Sequence, residues 1–130
     1  MSLQVEVVSP ERILFSGEGD MVVARAAGGD IAFLTGHAPF LGTLGIGIVK
    51  INLTDGGVEH IAVHGGFVEV RENKVIILSD VAELIDHIDI ERARKAKDEA
   101  EAQIRAGHDG EVEAALRRAE VRIELASLGK

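Results

Sequence analysis

The sequence predicts an α+β protein, with a β-sandwich or barrel in residues 1–87 and a two-helix hairpin in residues 88–130. The first observation is compositional: 12 of the 15 Gly, both Pro and all four Phe precede Ile88, whereas Ala, Glu, Arg and Lys dominate after it. The second is charge: residues 1–87 hold 12 acids and 5 bases, and residues 88–130 hold 10 acids and 9 bases. A dense mixture of both signs is typical of solvated helices.

The first part reads as many short strands, because runs rich in Val and Ile alternate with Gly and Asp turn signals. Leu3, Val5 and Val7 alternate with polar residues, as in a strand with one buried face. Asp55-Gly56-Gly57 and Glu72-Asn73 each predict a hairpin turn between two such runs. The predicted strands are Leu3–Val8, Ile13–Glu18, Met21–Ala27, Asp30–Leu34, Phe40–Gly45, Ile46–Leu53, Glu59–Val63, Gly65–Val70 and Lys74–Ser79.

The second part reads as two helices joined by a short turn. Asp89 is the expected N-cap of a first helix over Ile90–Ala106, because its carboxylate can accept free amides of the first turn. Gly107 is the expected stop, and Asp109 or Gly110 opens the second helix.

Both helices carry thin, Ala-rich stripes at helical spacing. The predicted stripe residues are Ala93, Ala96, Ala100 and Ile104 in the first helix, and Val112, Ala115, Leu116, Ala119, Ile123 and Ala126 in the second. Such stripes bury little apolar area, so we expect the hairpin to dock weakly and to be able to detach.

Composition excludes several classes of function. A net charge of −8 argues against nucleic-acid binding, which needs a basic surface for phosphates. The absence of Cys excludes disulfides and thiolate chemistry. No apolar run approaches the roughly 18 residues of a membrane span, and the start carries no export signal. We therefore expect a cytosolic protein, or one that is peripheral on a cytosolic membrane face without direct membrane insertion.

Catalytic and metal-binding signatures are weak. His60 and His64 are four residues apart on a predicted strand, yet no third ligand is evident, so no metal site is predicted. A hydrolase that uses His37 or His64 lacks a nucleophile. Arg118 and Arg122 share a helix face, which indicates either a solvated face or a cationic groove that binds an anion.

Three stretches carry a resemblance to a known family. They are Val7–Arg12 followed by Phe15–Glu18, Gly29-Asp30-Ile31 leading to Gly36-His37-Ala38-Pro39, and Gly65–Val70 followed by Asn73, Val75–Asp80 and Ala82-Glu83. Together they make the chain resemble the epsilon subunit of bacterial F-type ATP synthase over nearly its whole length.

The resemblance implies a fold and a role. The family has a flattened β-sandwich of about ten strands and a C-terminal antiparallel two-helix hairpin. Its members are non-catalytic rotor-stalk subunits that bind the gamma subunit and the c-ring and help couple proton flow to ATP synthesis at the cytoplasmic face of the bacterial membrane. The hairpin can extend toward the alpha/beta catalytic head and inhibit ATP hydrolysis, or fold down on the sandwich.

The resemblance also implies site residues. Asp30 is the expected contact to the c-ring, and His37 belongs to the same foot-like region. No cofactor is required, but some members bind a regulatory ATP, with or without Mg²⁺, through a motif that stands here as Ile88–Ala93. The implied nucleotide residues are Glu83, Ile88, Asp89, Arg92, Ala93, Arg118 and Arg122. Glu99 stands where the strongest binders have a base, which weakens the expected affinity.

One alternative from another class remains open on the sequence. A free-standing nucleotide-sensing β-sandwich module would have the same two parts but would never join a motor. Co-purification with a gamma subunit separates the two hypotheses.

Overall fold

The computed structural model describes residues 2–26, 28–85, 88–105 and 110–128. The described residues form seven strands followed by two helices. The strands are β1 (Leu3–Val8), β2 (Ile13–Ala26), β3 (Gly29–Leu34), β4 (Phe40–Leu53), β5 (Val58–Arg71), β6 (Lys74–Leu78) and β7 (Ala82–Leu84), and the helices are α1 (Ile90–Arg105) and α2 (Gly110–Leu128).

The strands form one sheet that closes on itself. The strand order is β1-β6-β5-β4-β2-β3, and β1 also pairs with β2, while β7 pairs with β5. The β1–β6 pair is parallel and the other pairs are antiparallel. The N-terminal half of β2 pairs with β1, and its C-terminal half pairs with β3 and β4. This long strand therefore belongs to both sides of the sandwich.

Three strands are longer than the sequence predicts. The described residues therefore form seven strands, fewer than the nine predicted from the pattern and the ten or so implied by the resemblance. β2, β4 and β5 each span 14 residues and each joins two of the predicted strands. Glycines at the junctions break the apolar alternation, but the backbone ladder continues through them, as in the Leu44–Gly66 and Ile46–His64 pairs. The three-residue β7 was missed because it is too short to carry a pattern. The α+β class and the sandwich-then-hairpin order are confirmed.

The core of the sandwich is built from the inward residues of the alternating strands. Leu3, Val5 and Val7 are fully buried, as their alternation predicts. They pack with Val22, Phe33, Val49, Ile51, Ile61, Val63, Val68, Val70, Val75 and Ile77. Gly66 is a site where no other residue fits, because its φ is +124° and an added Cβ would collide with the Leu78 carbonyl oxygen.

Both predicted hairpin turns form. Gly56 adopts a φ of +97°, and the Asp55 carboxylate accepts the Gly57 amide at 2.9 Å. Glu72 and Asn73 have φ values of 50° and 61°, which is the geometry of a two-residue type I′ turn. The Asn73 side-chain oxygen also accepts the Gly36 amide at 2.7 Å, which ties this turn to the loop after β3.

The first helix begins where the sequence predicts. The Asp89 carboxylate accepts the Arg92 amide at 3.1 Å, and the Asp89 carbonyl accepts the Ala93 amide at 3.0 Å, so Asp89 is the N-cap. α2 begins at Gly110. The predicted stop at Gly107 and the alternative start at Asp109 lie outside the described residues.

The second helix is buried on more sides than its predicted stripe. Ala119 of the stripe is fully buried, but so are Val121 and Leu125, which the stripe omits. Val121 and Leu125 pack against Ala62 of β5, with Ile46, Ile48, Ile85 and Ile88 around them. α2 therefore contacts both α1 and the sandwich, and a one-face pattern could not represent it. No described helix is long and apolar enough to cross a membrane.

Candidate functional site

A cleft lies at the border between the sandwich and the helical hairpin. Its volume is about 280 Å³, and it brings together β7, the start of α1 and the middle of α2. The lining residues are Glu83, Asp89, Arg92, Ala93, Ala96 and Arg122. Five of the seven residues that the resemblance implies for a nucleotide therefore line one cavity.

Local structure accounts for this convergence. The Asp89 cap fixes the first turn of α1, which places Arg92 and Ala93 at the rim of the cleft. Arg122 lies three residues before the buried Leu125, so both project from the side of α2 that meets the sandwich. Two guanidinium groups and the N-terminus of a helix thus face one space together with the carboxylates of Glu83 and Asp89. The guanidinium groups and the helix N-terminus are the groups that could contact an anion there.

Glu83 is the centre of a polar network at the base of the cleft. Its Oε1 accepts hydrogen bonds from Arg122 Nε and from His64 Nε2, each at 2.7 Å. The Glu83 side chain is 23% exposed and the His64 side chain 2%. Burial raises the pKa of the Glu83 carboxyl, but the hydrogen bonds from His64 and Arg122 and the Arg122 charge outweigh it, so the pKa lies below its ordinary value of 4.5.

The orientation of the His64 ring follows from this network. A carboxylate oxygen can only accept a hydrogen bond from the ring, so Nε2 carries the proton that His64 donates to Glu83. The other ring nitrogen, Nδ1, is buried and has no hydrogen-bond partner among the described residues. The bond to Glu83 is thus the polar contact that this buried ring makes.

Two of the implied nucleotide residues do not line the cleft. Ile88 packs in the apolar cluster beneath α2, and Arg118 pairs with Glu111 of its own helix at 3.6 Å. Glu99 is exposed on α1 and does not line the cleft either, so the acid that the sequence places near a bound phosphate lies outside this cavity.

Sequence reasoning missed two residues of the site. Ala96 follows Ala93 at helical spacing, and the stripe that contains both could have placed it in the cleft. His64 carried no such signal, because its partner Glu83 lies 19 residues away on a strand that the sequence did not predict.

Asp30 and His37 lie at opposite ends of β3 rather than side by side. Asp30 is exposed in the second position of the strand, where its Oδ1 is 3.9 Å from Arg25 Nη1. His37 follows the other end, where its ring contacts Phe33 and Phe40 and its Nδ1 is 2.6 Å from the Ala38 carbonyl oxygen.

A row of apolar side chains crosses the outside of the sandwich, and we call it the apolar row. Ile13, Val8, Leu78 and Phe67 are cross-strand partners on β2, β1, β6 and β5 in turn. Ile13, Leu78 and Phe67 are each about half exposed. A groove of about 450 Å³ runs along the row, and Pro10 and Ser79 contribute to its lining. Contiguous exposed apolar surface of this kind is typical of interaction surfaces.

The described residues contain no group of three or more His, Cys, Asp or Glu side chains that could hold a metal ion. The His60–His64 spacing therefore acquires no third ligand within this part of the chain. His64 is bonded to Glu83 instead.

Comparison with known proteins matches both parts of the chain. The family described as "ATP synthase, Delta/Epsilon chain, beta-sandwich domain" matches residues 2–85. The ATP synthase epsilon chain of Streptomyces griseus is 44% identical over 121 residues, covering 93% of this chain and 92% of that one. The epsilon chain of Nitratidesulfovibrio vulgaris is 42% identical over 128 residues, covering 95% of each chain.

A solved structure reproduces the fold beyond the sandwich. A chain of the Euglena gracilis mitochondrial ATP synthase, in a structure of its OSCP/F1/c-ring, aligns with a TM-score of 0.84 at 23% identity and covers 97% of this chain and 81% of that one. A chain from the central stalk and c-ring of the Tetrahymena thermophila enzyme aligns with a TM-score of 0.57 over 67% of this chain and 69% of that one. The chain therefore belongs to the delta/epsilon chain family of the F-type ATP synthase, as an epsilon chain, a non-catalytic subunit of that complex.

Proposed function

We propose that this epsilon chain works in the central stalk, where it helps couple proton flow to ATP synthesis and its hairpin restrains ATP hydrolysis. The observation that carries the proposal is the two-part architecture. A closed sandwich presents exposed contact surfaces, and the hairpin rests on it through one helix and a small apolar cluster. The solved relatives, which include central-stalk and c-ring assemblies, support the assignment to the stalk.

The apolar row is the proposed contact with the gamma subunit. Its four residues are cross-strand partners on the outside of the sandwich and are not needed to complete the core, which is formed by other residues. A partner protein would bury them. Burial of such surface stabilises association by roughly 25 cal/mol per Å² before the costs of binding. Co-purification with gamma also separates this proposal from a free-standing nucleotide sensor.

Asp30 is the proposed contact with the c-ring. It follows Gly29, which has a φ of +125°, and it is exposed at the end of the β2–β3 hairpin. Because the Asp30 side chain is exposed, a polar loop of a neighbouring ring can approach the carboxylate. His37 remains a proposed contact at the far end of β3. On this arrangement the subunit sits at the cytoplasmic face of the bacterial membrane, peripheral to it and not inserted.

Cross-linking tests this orientation directly. The chain has no Cys, so a cysteine at Asp30 is unique in the subunit. We expect Asp30→Cys to cross-link to a cysteine in the polar loop of the c subunit in assembled enzyme, and a cysteine at Asp55, in the β4–β5 turn, to serve as the comparison site. Cross-linking of residue 30 to the catalytic head would contradict the orientation.

The hairpin is the proposed regulatory part. Its docking on the sandwich rests on Val121, Leu125 and the ion pair between Arg122 and Glu83. A contact of this size can open at modest cost, which would free the hairpin to extend along gamma toward the alpha/beta head and block ATP hydrolysis. Residues 1–87 would remain as the assembly part.

The border cleft is the proposed site of a regulatory ATP. Arg92 and Arg122 would contact the phosphates, and Asp89 keeps the first turn of α1 in place. Because the cleft exists only while the hairpin is folded down, ATP bound there would favour that state by its differential affinity for the two states.

Titration calorimetry with ATP tests the cleft. Loss of a charge-assisted contact costs about 1.5–3 kcal/mol, which is ten- to a hundred-fold in affinity. We therefore expect Arg92→Ala and Arg122→Ala each to abolish a weak binding signal. Arg94→Ala, which removes an exposed base of the same helix, is the control and should retain it. Absence of any heat from the unmodified protein at millimolar ATP would leave Asp89 as a helix cap and nothing more.

A further inference from the structure

The contact between sandwich and hairpin includes a charged element beside its apolar one. Arg122 belongs to α2, whereas Glu83 belongs to β7 and is separated from Arg122 by 39 residues. Two further Arg–Glu pairs of the hairpin, Arg94–Glu91 and Arg118–Glu111, each join residues of one helix. The Arg122–Glu83 pair therefore contributes to docking in a way that those pairs cannot.

Glu83 also has a hydrogen-bond partner within the sandwich. Its Oε1 is already held by His64 Nε2 within the sandwich, since β5 and β7 are paired strands. The His64 side chain is almost completely buried, and among the described residues its ring forms a hydrogen bond to Glu83 alone. Because the His64–Glu83 bond does not involve the hairpin, it can hold the carboxylate in place for Arg122 and so lower the entropic cost of the contact.

Partial burial makes this pair stronger than the exposed pairs of the same hairpin. The side chains of Glu83 and Arg122 are 23% and 30% exposed, whereas those of Arg94 and Glu91 are 57% and 81% exposed. Exposed ion pairs contribute little to stability, but removal of one partner from a largely buried pair leaves the other charge uncompensated.

We propose that Glu83 and Arg122 form a ligand-independent latch that holds the hairpin on the sandwich, and that His64 is its positioning residue. The proposal rests on the regulatory role of the hairpin proposed above and adds how the folded-down state is kept without a nucleotide. It assigns His64, on the sandwich, a part in the hairpin's equilibrium through its hydrogen bond to Glu83.

Spin-label distances in the full chain test the latch with no nucleotide present. Lys50 on β4 and Glu124 on α2 are exposed and can be changed to cysteines, which are the only two in the chain. Ile46 and Ile48, on the same side of β4 as Lys50, pack under α2, so the two labels are close when the hairpin is docked. Detachment adds a population with long distances, and its ratio to the docked population is the measured quantity.

We expect Glu83→Gln and Arg122→Gln each to raise the detached-to-docked ratio about tenfold, the loss expected for a charge-assisted contact. The double variant should rise no further than either single variant, because both remove the same interaction. Arg94→Gln, which breaks a pair confined to α1, should leave the ratio unchanged. Unchanged ratios in both single variants, or effects that add in the double variant, would overturn the latch.

His64→Ala separates positioning from packing. In the unmodified background it should raise the ratio several-fold, and in the Glu83→Gln background it should have almost no effect. An equal rise in both backgrounds would show that His64 only fills space. If Glu83→Gln disturbs the strand amide signals of the sandwich, Arg122→Gln carries the test, because Arg122 lies outside the sandwich.

The outcome is independent of whether the hairpin regulates hydrolysis. Latch variants that detach the hairpin support the latch even if removal of the hairpin leaves ATP hydrolysis unchanged, in which case the proposed regulation fails. Latch variants that leave the distances unchanged overturn the latch even if removal of the hairpin raises hydrolysis.

Discussion

At the scale of a single residue, burial and hydrogen bonding act in opposite directions on the carboxyl of Glu83. Its carboxyl is largely buried, which favours the neutral form, yet it accepts two hydrogen bonds that favour the charged form. The hydrogen bonds prevail and the pKa is lowered. Asp89 and Arg92 face the same cleft from the start of α1 and Arg122 faces it from α2, so charged groups approach Glu83 from both helices.

The lowered pKa of Glu83 predicts how stability depends on pH. A carboxyl with a depressed pKa in the folded state contributes stability that is fully present above its unfolded-state pKa, near 4.5, and is lost as the pH falls through the folded-state pKa. We expect Glu83→Gln to cost about 1.5–3 kcal/mol at pH 7. The difference from the unmodified protein should shrink as the pH falls below about 4.5 and through the folded-state pKa of Glu83.

Urea unfolding of the two proteins between pH 7 and pH 3 measures this difference. His64 and Arg122 are present in both proteins, so their contribution to the comparison is limited to their contacts with residue 83. A difference that does not vary over this range would show that the Glu83 charge contributes nothing to stability.

Residue-scale features were predictable where their causes are local. The Asp89 cap acts within four residues of sequence, and the Gly56 turn within three, so residue types and spacing were sufficient. The network around Glu83 spans 19 residues to His64 and 39 to Arg122. No local pattern encodes such separations, and only the family resemblance brought Glu83 and Arg122 together.

At the scale of elements, the second helix differs most from its predicted form. An amphipathic pattern describes one buried face, but α2 packs against α1 and against β4 and β5. Val121 and Leu125 therefore lie outside the predicted stripe, although they form the apolar contact with the sandwich. The long strands show a related effect, because glycine interrupts side-chain alternation without interrupting backbone pairing.

Substitution of Leu125 should measure how much its burial stabilises the docking of α2. Leu125 is fully buried, so Leu125→Ala should cost about 2–4 kcal/mol, the range for large-to-small changes in packed sites. Leu128 lies three residues later on the same helix and is 47% exposed, so Leu128→Ala should stay within about 0.5 kcal/mol.

Amide hydrogen exchange gives the readout for both variants. We expect Leu125→Ala to speed exchange in α2 while the strands of the sandwich keep their protection, because local opening involves the hairpin alone. Equal effects of the two substitutions, or a loss of protection in the sandwich to the same extent, would contradict the description of α2 as a separately docked element.

At the scale of the whole molecule, the two parts of the chain differ in how far each is stabilised by its own contacts. The sandwich contains its own closed sheet and its own core. Within the described part of the chain, the hairpin shares a small apolar cluster with the sandwich and forms the Arg122–Glu83 ion pair across the cleft. This asymmetry is the physical basis of the proposal that residues 1–87 serve assembly and residues 88–130 serve regulation.

The most direct test of this division is the ATP hydrolysis rate of the assembled enzyme whose epsilon chain ends after residue 87. We predict that the enzyme assembles with gamma and the c-ring, stays coupled to proton flow and hydrolyses ATP faster than the enzyme with the full chain. The full-length Leu128→Ala chain is the control and should hydrolyse ATP at the unmodified rate. Failure of the shortened chain to assemble, or an unchanged hydrolysis rate in a coupled enzyme, would contradict the account.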